Sequence, residues 1–249
     1  MFSFLAPMKA VPGELPRSDS ADWSYEIKWD GMRAIMQIES GQYRIWSANE
    51  IDATARFPEL EGLIRSTGAR SVALDGEIVT FDVRGNPSFQ LLQSRIHVDR
   101  KADPAKRAMQ APVTLVLFDL LRIDGNDLIS LPWSARRQAL EQLVEAGPHW
   151  QVSSVATDGD ALLTAVTERR LEGIVAKRSD SVYLPGRRSP LWRKIKLRTH
   201  DEFVVGGWIE GERSRAGSIG ALLIGCYGRD GSLFYAGRVG SGLSESSIR

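Results

Sequence analysis

One run of the sequence restricts the possible folds more than any other, because nearly every residue in it is apolar. Residues 114–121 contain a single charged residue, Asp119. A strand with one face in water alternates apolar and polar residues, whereas a continuous apolar run is typical of a strand buried within a sheet. We therefore predict that residues 114–121 form a buried central strand.

Strand and helix signals recur on both sides of this run and predict a mixed α and β fold. Strands are predicted at residues 25–28, 72–81, 174–176 and 191–197, and a hairpin at 34–39 and 42–47. Helices are predicted from Pro58 to residue 64, from the N-cap Ser88 to residue 92, and at about 134–145 and 160–170. We expect these elements to form one domain over residues 1–198.

The sequence changes character after this point, to short β-type runs separated by glycines. These runs lie at residues 202–209, 221–227 and 233–239, and residues 244–249 resemble the first turn of a helix. They predict a second, antiparallel β domain over residues 199–249. Three strands are fewer than the five or more that a small closed barrel needs, so we expect this domain to be incomplete.

The composition is that of an ordinary globular chain of 249 residues with a net charge of +1. The apolar runs are too short to cross a membrane, so we expect a cytoplasmic protein without a membrane segment. Cys226 is the only cysteine, which excludes an intrachain disulfide, and the three histidines are scattered along the chain. We therefore predict no structural zinc site.

A hexapeptide at residues 28–33 follows the first predicted strand and combines Lys28, Asp30, Gly31 and Arg33. This combination favours nucleotidyl transfer with the Lys28 amine as nucleophile, although a solvated turn would need no chemistry. An ordinary lysine is neutral about once in a thousand at pH 7.4, a cost of about 4 kcal/mol. Nearby cations and burial would reduce that cost, so we expect an acid close to Lys28 to bind metal rather than the amine.

Further polar and aromatic candidates lie where predicted strands begin or end. Glu77 follows a glycine and is suited to accept a ribose hydroxyl, Phe118 is suited to stack on a purine, and Glu172 is suited to a divalent cation. Lys194 and Lys196 fall on one face of the last strand of the first domain, which suits a phosphate backbone. Each residue taken alone favours a structural role, and only their joint order favours an active site.

This order resembles that of ATP-dependent DNA ligases, and is most similar to the ligase domain of the bacterial ligase D type, which acts in end joining. The matching motifs occupy residues 28–33, 75–77, 118–121, 172–177 and 192–196. The resemblance implies an α+β nucleotidyltransferase domain, built of antiparallel sheets flanked by helices, and a partial OB-fold after it. It also implies a lysyl-AMP intermediate on Lys28, transfer of AMP to a nick, and sealing by the 3′-hydroxyl.

The resemblance assigns roles to single residues. It implies ATP and Mg²⁺ or Mn²⁺, with catalytic groups at Lys28, Asp30, Lys194 and Lys196 and metal ligands at Glu172 and Glu77. The residues implied to contact ATP are Glu26, Arg33, Glu77, Phe118, Lys194 and Lys196. The residues implied to contact DNA are Arg33, Arg187, Arg188 and Arg193.

The implied partner is nicked double-stranded DNA in the bacterial nucleoid, with a Ku-like end-binding protein as a second partner and a monomeric chain. Two other classes remain open at this point. An RNA ligase or capping-type guanylyltransferase shares the lysine motif, and a preference for GTP over ATP would identify the capping-type enzyme. A non-catalytic module that binds DNA nicks or ends would bind without forming an AMP adduct.

The sequence departs from the family pattern at Ala48, where members of the family carry a phosphate-binding arginine. Losing such a contact removes about 1.5 to 3 kcal/mol. Together with the incomplete second domain, this predicts weak self-adenylation from ATP and continued sealing of a nick that already carries AMP.

Overall fold

We describe the protein from a computed structural model, which covers residues 2–17, 22–96, 103–197, 202–212, 216–228 and 230–240. The chain divides into two compact units, Met1–Leu197 and Arg198–Arg249. The larger unit holds two β-sheets with helices, and the smaller unit holds a third sheet. The chain thus has the α+β architecture expected from its sequence.

The first sheet of the larger unit has five strands in the order β1-β11-β10-β2-β9. These strands are β1 (Lys9–Pro12), β2 (Trp23–Ile27), β9 (Val155–Ala156), β10 (Gly173–Arg178) and β11 (Arg188–Lys196). β1 runs parallel to β11, and the other neighbours are antiparallel. The start of the chain is therefore held beside a strand from the end of the unit.

The second sheet has six strands, in the order β4-β3-β5-β6-β7 with β8 also paired to β6. They are β3 (Met32–Glu39), β4 (Gln42–Ser47), β5 (Ser71–Thr80), β6 (Val113–Ile123), β7 (Asn126–Asp127) and β8 (Trp150–Val152). Residues 115–121 of β6 are all buried, and β6 has partners along both edges. The prediction of a buried central strand at 114–121 is confirmed.

Helices cover the outer faces of the two sheets. They are α1 (Leu63–Thr67), α2 (Phe89–Ile96), α3 (Pro104–Gln110), α4 (Trp133–Leu143) and α5 (Gly159–Glu168), with 3₁₀ helices at Thr54–Arg56 and Pro58–Gly62. Leu63, Leu92 and Leu140 pack on the six-stranded sheet, and Val166 of α5 packs on the five-stranded sheet. A third apolar cluster, which includes Met8, Phe118, Trp133 and Trp192, joins residues of the two sheets.

Local sequence signals predict most of these elements correctly. The hairpin at 34–47 turns at Ser40 and Gly41, which have φ values of 51° and 77°. The helix predicted from Pro58 begins with five residues of 3₁₀ helix, Pro58–Gly62, and continues as α1. Several elements were not predicted, among them β1 and α3. The capping carboxylate of Asp103, which accepts from the Ala105 N–H at 2.9 Å, was the available signal for α3.

The smaller unit contains an antiparallel sheet in the order β12-β13-β14. Its strands are β12 (Val204–Glu210), β13 (Ile219–Tyr227) and β14 (Leu233–Val239), close to the three predicted runs. Within the described residues these strands form an open sheet and no closed barrel. The helical turn predicted at 244–249 lies outside the described residues. No helix in the described part of the chain is long and apolar enough to span a membrane.

Candidate active site

A cavity of about 320 Å³ lies among the strands of the two sheets of the larger unit. Its lining comes from the chain around β1, from the end of β2, and from β3, β5, β6, β10 and β11. Seven residues predicted for the site line it: Glu26, Lys28, Arg33, Glu77, Phe118, Arg188 and Lys194. Residues far apart in sequence therefore meet at one place.

The Lys28 amine lies at the end of β2, next to a carboxylate. The Lys28 backbone N–H donates to the carbonyl of Gly173, which brings the chain beside Glu172. Lys28 Nζ donates to Glu172 Oε2 at 2.5 Å, and Lys196 Nζ lies 2.8 Å from Oε1 of the same residue. Partial burial raises the pKa of Glu172, but the hydrogen bonds from Lys196 and Lys28 outweigh it and leave that pKa below its ordinary value.

In this structure Glu172 pairs with the Lys28 amine, and the expectation that an acid near Lys28 binds metal stays a prediction. Glu172 pairs with the amine because the two lysines and this carboxylate converge at the junction of β2, β10 and β11. Opposite charges at this distance attract each other even where side chains are about one fifth exposed. The amine must leave this contact before it can attack a substrate.

Gly31 explains why the turn after Lys28 passes so close to β5. A Cβ at Gly31 would collide with the carbonyl oxygen of Ile78 and would also meet the Glu77 side chain. Asp30, the acidic residue of the hexapeptide at 28–33, is exposed at this turn. Partial burial and the nearby Glu172 carboxylate raise the pKa of Asp30, which Lys28 and Lys196 partly oppose.

Arg33, which was predicted to contact phosphate and DNA, is held by a buried carboxylate in this structure. Its Nε and Nη2 donate to the two carboxylate oxygens of Asp75 at 2.6 and 2.7 Å, and Nη2 also donates to the carbonyl of Met8 at 3.2 Å. Asp75 is fully buried and also accepts from the Tyr183 hydroxyl at 2.5 Å. A buried carboxylate such as Asp75 needs a cation beside it, which accounts for the contacts of Nε and Nη2. Among the described residues, Nη1 is the nitrogen of Arg33 that remains for a ligand.

Phe118 lies on the cavity lining between two cations. The Arg33 guanidinium carbon lies 4.5 Å from the centre of the Phe118 ring, and Lys177 Nζ lies 4.3 Å from it. Lys177 is buried, lies 4.5 Å from the Trp192 ring and donates to Glu26 Oε1 at 2.7 Å. Burial lowers the pKa of Lys177, which the Glu26 carboxylate opposes. The aromatic end of the cavity is thus bounded by an internal ion pair.

Glu77 lies on β5, opposite Arg33 of β3 in the register of the two strands. Burial raises its pKa to about 8, despite the opposing charges of Arg33 and Lys28. Near neutral pH this carboxyl therefore holds its proton far more strongly than an exposed glutamate. In that form it both donates and accepts hydrogen bonds, which suits a sugar hydroxyl better than a metal ion.

The basic candidates on and beside β11 separate in the structure. Lys194 and Arg188 line the cavity, whereas Arg187 is exposed just before β11 and does not line it. Arg193 points to a different environment, where its guanidinium carbon lies 4.7 Å from the Trp23 ring and its Nε donates to the carbonyl of Pro190. The alternation of side chains along β11 accounts for this division.

Glu172 is the acid that fits a divalent cation best. It is ionised, partly exposed and adjacent to the cavity. Among the described residues there is no group of three or more histidine, cysteine, aspartate or glutamate side chains placed to hold a metal ion. Mg²⁺ needs only one or two carboxylates when substrate phosphates and waters complete its shell, so Glu172 suits such an ion.

Sequence reasoning assigned no role to Lys177, Asp75, Trp192 or Lys9, all of which contribute to the cavity or its support. For Lys177 a signal existed, because it alternates with the apolar Ala176 on β10 and therefore faces the same side as Val175. For Lys9 there was none, since its strand is short and pairs with a distant partner.

Comparison with known proteins agrees with this geometry. A family model described as "ATP dependent DNA ligase domain" matches residues 4–196. The multifunctional non-homologous end joining protein LigD of Mycolicibacterium smegmatis is 37% identical over 98% of this chain, which covers 30% of that protein. A DNA ligase of Thermococcus onnurineus is 32% identical over 92% of this chain and 42% of its own length. The chain thus spans less than half the length of these relatives.

Solved structures give the same result. The ligase domain of Mycobacterium tuberculosis LigD superposes with a TM-score of 0.67 at 35% identity, covering 99% of this chain and 77% of that one. A mycobacterial DNA ligase D complexed with ATP and MES superposes with a TM-score of 0.69 at 36% identity, covering 99% and 76%. The resemblance found in the sequence motifs is confirmed, and the chain belongs to the ATP-dependent DNA ligase domain family.

Proposed function

We propose that this chain seals nicks in duplex DNA, with ATP as the second substrate and Lys28 as the residue that carries AMP. One observation supports this most strongly. Lys28, Glu77, Phe118 and Lys194 come from four separate strands or strand ends and line one cavity. A nucleophilic amine, a sugar-binding carboxyl, an aromatic ring and a phosphate-binding cation are together what a nucleotidyl transfer requires.

The proposed reaction has three steps. Lys28 Nζ attacks the α-phosphorus of ATP, the bond to the β-phosphate oxygen breaks, and pyrophosphate leaves. An oxygen of the 5′-phosphate at a nick then attacks the same phosphorus and releases Lys28. Finally the 3′-hydroxyl attacks the 5′-phosphate and releases AMP. Each step transfers a phosphoryl group, so positioning and charge supply most of the catalysis.

The first step needs Lys28 to become neutral within a field of cations. Lys194 lines the same cavity, and its own pKa is lowered by burial and by Lys196, Arg188 and Lys28. Glu172 holds the amine through a hydrogen bond at 2.5 Å, so the amine must leave this contact and lose its proton before it attacks.

The other side chains bind and orient the nucleotide. We assign adenine to Phe118 with Glu26 at its edge, the ribose to Glu77, and the α-phosphate to Lys194 and Lys196. Arg33 positions Phe118 through its contact with the ring. Asp30, exposed beside Lys28, is left to act at the nick.

A divalent cation would be held by Glu172 together with phosphate oxygens, where it would neutralise charge on the transferred phosphate. Mg²⁺ and Mn²⁺ both fit an oxygen donor of this kind.

The biological setting follows from the relatives and is part of the proposal. The relatives named LigD are end-joining proteins, so we propose that this chain joins broken DNA in the bacterial cytoplasm, with a Ku-like protein at the DNA ends. We propose residues 1–198 as the adenylation domain and 199–249 as part of an OB-fold. We propose Arg187 and Arg188 as the basic residues that meet the DNA backbone.

Intact-mass analysis tests the proposal directly. The chain incubated with ATP and Mg²⁺ should gain the mass of one AMP on Lys28, and it should seal a nicked duplex that carries a 5′-phosphate. Lys28→Ala should abolish the adduct and retain DNA binding. A greater yield of GMP adduct from GTP would identify a capping-type enzyme instead. Nick binding with neither adduct nor sealing by the unmodified chain would refute the proposal and favour a non-catalytic module.

A further inference from the structure

The cavity lacks the cation expected at position 48 and contains a cation that was not expected, at position 9. Ala48 follows β4 and lines the cavity at the position where the family pattern places a phosphate-binding arginine. Its methyl side chain offers no hydrogen bond to an anion. Lys9, on β1, lines the same cavity, although its sequence context gave it no role.

Strand pairing fixes Lys9 beside the basic end of β11. β1 and β11 run parallel with Lys9 opposite Arg188, and the Lys9 backbone N–H donates to the carbonyl of Arg187 at 2.8 Å. Register partners on neighbouring strands project from the same face of a sheet. Arg188 also lines the cavity, so the two side chains form one basic pair at its exposed side.

Within the described part of the chain, no carboxylate forms an ion pair with Lys9 or Arg188. By contrast, Arg33 and Lys177 of the same cavity are bound to Asp75 and Glu26. Lys194 lines the same cavity and brings a third cation near the pair; burial lowers its pKa, and the neighbouring charges of Lys196 and Arg188 lower it further. Unpaired cations grouped at an exposed cavity wall bind phosphate groups.

We infer that Lys9, with Arg188, is a phosphate-binding residue that takes over the task of the arginine absent at Ala48. The inference rests on the proposed function for the identity of the substrates. The phosphate is either on ATP or at the 5′ side of a nick, and the two sources can be separated by experiment. It also changes the expectation of weak ATP use that Ala48 alone suggested.

Equilibrium binding tests the inference without depending on turnover. The full chain, Lys9→Ala, Lys9→Arg, Ala48→Arg and the double variant Lys9→Ala with Ala48→Arg are titrated with MgATP. They are also titrated with nicked duplexes that carry either a 5′-phosphate or a 5′-hydroxyl. Lys106→Ala is the matched control, because Lys106 is an exposed lysine of α3 outside this cavity.

Lys9→Ala should weaken one of these ligands by about 10- to 100-fold, which is the effect of losing one charge-assisted contact. Weaker MgATP binding would assign the phosphate to ATP. Weaker binding of only the 5′-phosphate nick, with a salt dependence whose slope falls by about 1, would assign it to DNA. Lys9→Arg and the double variant should regain most of the loss, and Lys106→Ala should match the wild type.

Two results would overturn the inference. One is a Lys9→Ala variant within about twofold of the wild type for all three ligands. The other is a loss that neither Lys9→Arg nor Ala48→Arg relieves, because a phosphate contact is restored by any suitably placed cation. Melting temperatures check that the variants are folded. If the wild type forms no AMP adduct, the proposed function fails, yet the binding titrations still decide the role of Lys9.

Discussion

The buried ion pair between Lys177 and Glu26 allows a quantitative prediction. The two side chains are each 3% exposed, and Nζ lies 2.7 Å from Oε1. At an effective dielectric constant of about 20, the attraction between the charges is about 6 kcal/mol, which the cost of removing them from water largely offsets. Breaking a buried pair by removing one partner costs about 3 to 5 kcal/mol.

Lys177→Met keeps the length of the side chain and removes its charge. We expect a loss in unfolding free energy of about 3 kcal/mol, at the lower end of that range, because Arg137 Nη1 remains 3.8 Å from Glu26 Oε1. Lys177→Met combined with Glu26→Gln should cost less than the sum of the single changes by about 1 to 3 kcal/mol, since neither charge is then left alone.

Urea denaturation followed by tryptophan fluorescence measures all four proteins, and the midpoint and slope are compared. Arg122→Met is the control, since Arg122 and Asp127 form a pair whose side chains are 45% and 56% exposed, and it should cost less than about 1 kcal/mol. Additivity of the two single changes within about 0.5 kcal/mol would refute the reasoning, because the pair would then contribute no coupling.

Three further predictions follow from buried contacts of the site. Tyr183→Phe should cost about 1 to 3 kcal/mol in chemical denaturation, because Asp75 loses a buried donor 2.5 Å away; a neutral effect would contradict this. Glu77→Gln should gain stability over the wild type as pH rises from about 4.5 to about 8, because the folded wild type holds a proton that the unfolded chain releases in that range. A stability difference that stays constant across those pH values would refute it. Gly31→Ala should lose adenylation in an intact-mass assay, because its Cβ would collide with the Ile78 carbonyl; full labelling would contradict the geometry.

Local chemistry determines which elements could be predicted from the sequence. The hairpin at Ser40-Gly41 was predictable because its turn residues carry the signal themselves. The central strand β6 was predictable because burial on both faces leaves a continuous apolar run. β1 was not predictable, since four residues have no clear period and their partner β11 lies far along the chain.

The same distinction applies to the site. Motif order predicted which residues gather around Lys28, but it did not predict how their charges pair. The contact between Lys28 and Glu172 joins residues 144 positions apart, and the bidentate contact between Arg33 and Asp75 uses nitrogens that were expected to face phosphate. Which cation pairs with a buried acid depends on the other charges beside that acid, and these are brought together only in the folded chain.

The ion pairs give the two ends of the cavity different net charges. Its buried end is internally neutral, since Glu26 is bound to Lys177 and Asp75 is bound to Arg33 around the Phe118 ring. Its exposed side carries cations without a buried acid beside them, namely Lys9, Arg188 and Lys194. An uncharged aromatic base is stable at the first end, and phosphates are stable at the second. We therefore expect a nucleotide to bind with its base inward and its phosphates toward Lys28, since an inverted nucleotide would place its charges against the paired, buried end.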